Sequence, residues 1–166
     1  MIDNKFWKEY FIFSTLNFLG LISLGFVFFQ LNLVQNVYST PERQLGISLI
    51  LAIIKNNLIN FCQYLCFPLS PIWILFDDIH LSFLVTTAIQ TIGVKTTVIH
   101  LLPHGLIELP NLFLYQFLSI KLMRITITCF KNKQLSFLKE VKSLKGYYCF
   151  SLVLLIIAAM IEGGIG

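Results

Sequence analysis

Charged residues are scarce in this chain, and their scarcity excludes an ordinary soluble domain. Only 12% of the 166 residues are charged, whereas 57% are hydrophobic and the mean hydropathy is +0.80. Soluble proteins contain roughly 25% charged residues. A soluble domain of this length could not bury so many Phe, Ile and Leu side chains, so the composition predicts an integral membrane protein.

Other features are also missing. No small-x-small cleavage site follows the first apolar stretch, residues 10–34, which is longer than the roughly 7–15 apolar residues of a signal peptide; we expect a retained span. None of the four cysteines falls in a predicted external loop, so no disulfide framework is expected. The net charge of +4 does not indicate nucleic acid. The basic residues adjoin apolar runs, where membrane lipids with anionic headgroups explain them.

Hydrophobic length predicts five membrane-spanning helices, each near the ~20 residues that cross the hydrocarbon core: 10–34, 49–69, 81–102, 105–123 and 147–165. The expected fold is all-α, a single multi-pass helical bundle over residues 1–166. Residues 71–76 either prolong the second span after a kink or lie in the membrane interface, and Asp77 and Asp78 form a turn. The third span should face protein or water, because it contains Thr86, Thr87, Gln90, Thr91, Lys95, Thr96 and Thr97.

Basic residues predict the orientation of the bundle. The connection 121–146 contains a single acid, Glu140, among Lys121, Arg124, Lys131, Lys133, Lys139, Lys142 and Lys145. Lysine and arginine stay on the cytoplasmic side, so this connection and the N-terminus are predicted to be cytoplasmic.

Part of this connection has the pattern of an amphipathic helix, over about residues 131–145. Apolar Phe137, Leu138, Val141 and Leu144 recur at helical spacing, and lysines occupy the other side. Such a helix can lie on the membrane surface as a lipid anchor. It can also dock a soluble partner such as an ATPase, and the docking candidates are Phe137, Leu138, Lys139 and Lys142.

A few polar residues must be hidden within the spans, and they share one predicted depth. They belong to the start of the second span, the start of the fourth and the end of the fifth: Asn56, Asn57, His104, Glu108 and Glu162. At ~1.5 Å rise per residue, all lie within about 10 Å of the outer surface. They could satisfy one another and join the helices. They could instead line a wet pocket for a peptide end, a partner's helix or a proton.

A metal-binding variant of this site uses His100, His104 and Glu108, which are four residues apart along the chain. On a continuous helix they would form one face able to hold zinc with an open coordination position. Pro103 argues against that continuity, and no H-E-x-x-H motif occurs. The prediction is therefore that the protein uses no metal or other cofactor.

Residues 103–110 read Pro-His-Gly-Leu-Ile-Glu-Leu-Pro, which resembles the Pro-His-Gly-x-x-Glu-(Leu/Ile)-Pro signature of the stage II sporulation protein M (SpoIIM) family of bacterial membrane proteins. Lys-Asn-Asn at 55–57 and Ala-Ala-Met-Ile-Glu at 158–162 also fit that family. The resemblance implies a multi-pass protein of the bacterial cell membrane without established catalytic activity.

The resemblance implies three possible settings. The sporulation member is a scaffold for peptidoglycan-degrading partners. Small relatives accompany ABC-type ATPases, and some are encoded with circular bacteriocins, where they are linked to maturation, export or self-protection. The short chain, which lacks a sizeable external domain, favours the bacteriocin or transporter setting.

The leading hypothesis is a non-enzymatic membrane subunit that handles a hydrophobic or circular bacteriocin peptide together with other membrane subunits and an ABC-type ATPase. One alternative is an intramembrane peptidase or ligase in which His104 and Glu108 are an acid–base pair or metal ligands. The other alternative is a sporulation-type scaffold for cell-wall hydrolases.

Overall fold

The computed structural model describes residues 4–31, 47–65, 69–131 and 136–165, with side chains for all of these except 47–49, 103–104 and 162–165. The described residues contain no strand and form α1 (Asn4–Gln30), α2 (Ile47–Leu65), α3 (Ser70–Ile92), α4 (Val94–Lys131) and α5 (Phe137–Ile165). The prediction of an all-α fold is confirmed.

Four helical segments are long and apolar enough to cross a membrane within the described parts of the chain: Asn4–Gln30, Ser70–Ile92, Gly105–Lys131 and Phe137–Ile161. Many of their large apolar side chains are exposed, Phe11 and Phe26 among them, as expected for surfaces that face lipid. The protein is therefore a helical bundle of membrane type. The helix α2, with 19 residues, is not among the four segments, so the count of five spans stays a prediction.

The helices corresponding to the predicted third and fourth spans have different bounds. The stretch 81–102 is not one helix, because Gly93 interrupts it with a φ of 82°. Glycine adopts this left-handed conformation without steric cost, and its N–H donates to the carbonyl of Ile89 at 3.0 Å, which caps α3. The sequence predicts that the helix is interrupted at Pro103, but this residue lies inside the 38-residue helix α4.

The course of residues 70–80 also differs from both predictions. Residues 71–76 form the beginning of α3, and Pro71 lies in its first turn, where no intrahelical partner for its nitrogen is needed. Asp77 and Asp78 lie within this helix rather than in a turn. Likewise, residues 137–145 continue into α5 as one helix and do not form a separate amphipathic element.

The helix α4 lies at the centre of the bundle. All its side chains from Phe113 to Ser119 are buried, and they contribute to two apolar clusters. One cluster packs Phe117 against Phe6 and Tyr10 of α1, and the other packs Tyr115 against α2 and α5. This central position means that polar residues of α4 meet side chains from the other helices.

Polar contacts also fix α3 against α1. Ser82 and Thr86 donate to the carbonyls of Leu21 at 3.0 Å and Gly25 at 3.3 Å. Both contacts have the same sequence offset of 61, so the two helices run parallel. The expectation that this semi-polar segment faces protein therefore holds for Thr86.

Candidate functional site

One contact joins two residues of the predicted polar cluster. Asn57 Nδ2 on α2 donates to Glu108 Oε1 on α4 at 3.2 Å, and both side chains are half-buried. Asn56, the neighbour of Asn57, is exposed. The side chains of His104 and Glu162 lie outside the described residues, so their membership of the cluster stays a prediction.

The predicted metal set is described only in part. His100 is exposed on α4, and the continuity of α4 through Pro103 removes the objection raised from that proline. His104, the middle residue of the set, has no described side chain. The set of His100, His104 and Glu108 therefore stays a sequence-based candidate.

Asn57 and Glu108 line a cavity of about 960 Å³ between the helices. Its wall is mainly apolar and includes Phe18 and Phe26 of α1 and Leu109 of α4. Ligand sites in proteins are typically cavities of roughly 300–1,000 Å³ with apolar walls and a few placed polar groups. Here the amide, imidazole and carboxylate side chains among the described lining residues are Asn57, Asn60, Asp77, His80, Glu108 and Asn111.

A second set of polar residues, which the sequence reasoning did not identify, lies beside this cavity. Tyr64 donates its hydroxyl to Asp77 Oδ2 at 2.6 Å and accepts from Gln116 Nε2 at 3.3 Å. Gln116 Oε1 in turn accepts from Asn17 Nδ2 at 3.0 Å. We call these four residues the tyrosine network, and it links α1, α2, α3 and α4 side chain to side chain.

Burial makes the tyrosine network costly to break. Gln116 is fully buried and Tyr64 is 2% exposed, so a lost partner there would not be replaced by bulk water. Ser119 also donates to the carbonyl of Tyr64 at 2.5 Å. Among the described residues, Asp78 Oδ1 is buried without a hydrogen-bond partner.

The signal for this network was the two acids. Carboxylates are rare inside membrane helices, and one that occurs there usually has a functional role. The sequence analysis predicts a turn at Asp77 and Asp78, whereas both residues lie in α3. Once they are placed in α3, Asp77 comes to line the cavity.

Two further contacts join helices without involving Asp77 or Glu108. Ser151 donates to Asn111 Oδ1 at 2.6 Å and connects α5 to α4. Lys121 of α4 pairs with Glu9 of α1. The predicted docking residues at the start of α5 are all exposed: Phe137, Leu138, Lys139 and Lys142.

Comparison with known proteins identifies one family. The family model SpoIIM, described as Stage II sporulation protein M, matches residues 14–165, which is nearly the whole chain. The comparisons with curated proteins and with solved structures gave no match.

Proposed function

The chain belongs to the SpoIIM family, and from that premise we propose that it is a non-enzymatic membrane subunit of the bacterial cell membrane that binds a hydrophobic peptide within its helical bundle. The peptide is a hydrophobic or circular bacteriocin. Binding serves its maturation, its export or the immunity of the producing cell. The subunit works with other membrane subunits and an ABC-type ATPase.

The cavity is the observation that carries this proposal. Its volume of about 960 Å³ suits part of a peptide, and its apolar wall suits side chains that would otherwise face lipid. The bond between Asn57 and Glu108 places an amide and a carboxylate where they can meet the backbone or a polar end of that peptide.

We assign the ATPase partner to the surface formed by the end of α4 and the beginning of α5. Phe137 and Leu138 are exposed beside Lys139 and Lys142 at the beginning of α5. Phe130, at the end of α4, is 83% exposed. In the orientation predicted from the basic residues this surface is cytoplasmic, which is the side on which an ATPase would bind.

Photo-crosslinking from the exposed rim of the cavity tests peptide binding. A benzophenone amino acid replaces Phe26, which lines the cavity, in cells that produce the peptide. The matched control replaces Phe11, which lies on the same helix and does not line the cavity. The two side chains are equally accessible, at 63% and 64% exposure, so lipid reacts with both.

We expect a peptide adduct from position 26 and lipid adducts alone from position 11. Mass spectrometry of the adduct identifies the peptide. Equal peptide adducts at both positions, or none at position 26, would contradict binding in the cavity.

A further inference from the structure

Two acids are among the described residues that line the cavity. Asp77 of α3 and Glu108 of α4 both line it, and none of the described lining residues is lysine or arginine. The only described lining residue that can take up a positive charge is His80, which is exposed. The site is therefore electrostatically suited to a cation.

Among the described residues, the one positive charge that acts on Asp77 is that of the exposed His80; an uncharged hydroxyl forms the described hydrogen bond to Asp77. Its Oδ2 accepts a bond of 2.6 Å from the Tyr64 hydroxyl, which fixes the carboxylate in place while leaving its charge. The Lys121–Glu9 ion pair joins α1 to α4 away from the cavity lining. A half-buried carboxylate in apolar surroundings is stabilised strongly by a cation of suitable geometry.

The two acids lie at different levels of the bundle. Asp77 bonds to Tyr64 and Glu108 bonds to Asn57, and these partners are seven residues apart on α2, which corresponds to about 10 Å along the axis. Apolar residues such as Leu112 line the cavity as well. A fitting ligand segment is mainly apolar and carries a positive group at the level of one of the two acids.

We propose that the cavity selects peptides that present a cationic group, an amine or a guanidinium, beside an apolar segment, and that Asp77 is the counter-ion of that group. This inference rests on the proposed peptide-binding function and specifies which peptides bind. Tyr64 has the supporting role of holding the Asp77 carboxylate toward the cavity. The plain alternative is that Asp77 serves only to join α3 to α2 through Tyr64.

The test uses purified full-length protein with the benzophenone at position 26, in nanodiscs of phosphatidylcholine, a lipid without net charge. One probe is a short acetylated peptide of leucine and alanine that ends in a lysine amide. The other probe has the same sequence and ends in a glutamine amide. The crosslinked fraction is measured as a function of peptide concentration for the parent protein, Asp77→Asn, Asp77→Glu and Tyr64→Phe.

We expect the lysine probe to be captured at about tenfold lower concentration than the glutamine probe, as for a desolvated charge pair. Asp77→Asn should remove this difference, so that both probes are captured at similar concentrations. Asp77→Glu should retain the preference. Tyr64→Phe loses the bond to Asp77 and retains the carboxylate, so it should retain a preference for lysine of at least about threefold.

Two outcomes would overturn the inference. Equal capture of both probes by the parent protein would show that the cavity does not distinguish a charged from an uncharged peptide. A preference that survives in Asp77→Asn would leave Asp77 with a structural role only. Failure of either probe to crosslink more at position 26 than at position 11 would instead contradict the proposed function itself.

Discussion

Replacing Gln116 with leucine tests whether the tyrosine network holds the helices together. Gln116 is fully buried; it donates to Tyr64 at 3.3 Å and accepts from Asn17 at 3.0 Å. Leucine has a similar volume and can make neither bond. The substitution therefore removes the polar link between α4 and both α1 and α2 while leaving little empty space.

The expected cost is worked from these two bonds, and the loss of the side-chain contact between Gln116 and Asp78 adds to it. A hydrogen bond between membrane helices contributes about 0.6 kcal/mol on average and about 1.7 kcal/mol at most. Two bonds therefore amount to about 1.2 kcal/mol on average, and the favourable burial of leucine offsets part of it. We expect the free energy of unfolding to fall by about 1 kcal/mol.

The assay is reversible unfolding in mixed micelles of a mild detergent and dodecyl sulfate, followed by circular dichroism. The matched control is Gln63→Leu, because the Gln63 side chain on α2 makes no hydrogen bond among the described residues. Its free energy of unfolding should change by less than about 0.5 kcal/mol. A Gln116→Leu protein as stable as the parent, or a Gln63→Leu protein that loses as much, would refute the reasoning.

Three further substitutions test other parts of the fold in the same unfolding assay. Gly93→Ala should lower the free energy of unfolding by about 1–2 kcal/mol, because φ is 82° there and alanine is strained in that region. The control Gly20→Ala, inside α1 with open space around it, should be neutral or stabilising. Equal losses at both positions would contradict the role of Gly93 at the end of α3. Ser151→Ala removes the 2.6 Å bond to Asn111 and should lower the free energy of unfolding by about 0.6–1.7 kcal/mol. The control Ser143→Ala loses only a local bond within α5 and should lower it by less than about 0.5 kcal/mol. A double-mutant cycle with Glu9→Gln and Lys121→Gln should give a coupling energy of less than about 1 kcal/mol. Both side chains keep access to solvent, because Glu9 is 31% and Lys121 is 23% exposed. A larger coupling energy would show that the pair is more isolated from solvent than its exposure indicates.

The helical character of the chain could be predicted from sequence because long apolar runs in a chain with few charges have one physical solution. A membrane helix satisfies its own backbone hydrogen bonds, so the length of an apolar run predicts a helix without reference to the rest of the fold. The same reasoning misplaced the break near residue 93. Gly93 is one glycine among several, and its positive φ is a property of the backbone rather than of composition.

Proline misled the prediction at residue 103. Proline breaks helices in water because it lacks an N–H and its ring meets the preceding carbonyl. Within a bundle, neighbouring side chains and water can satisfy the freed carbonyls, and α4 passes through both Pro103 and Pro110. Tyr10 also donates to the carbonyl of Pro110 itself at 2.8 Å; this carbonyl is not one that the prolines free, but the bond holds α1 against α4 at this level.

The candidate site was predictable where the family signature provided the residues. Glu108 and Asn57 come from two signature pieces, and the structure brings them into contact. The tyrosine network could not be predicted in the same way, because Asn17, Tyr64 and Gln116 are isolated polar residues in separate apolar runs. Which of them meet depends on how each helix is rotated, and one sequence does not contain that information.

The most direct test of the account compares Glu108→Gln with Glu9→Gln in the bacterium that encodes the chain. Both substitutions remove one carboxylate, but Glu108 lines the cavity whereas Glu9 on α1 pairs with Lys121 away from it. The mature peptide in the medium and the survival of cells exposed to it are measured at matched protein levels. We predict that Glu108→Gln lowers both at least tenfold, a loss of about 1.4 kcal/mol or more, and that Glu9→Gln changes neither. Full export and full immunity in Glu108→Gln would contradict a functional role for the cavity.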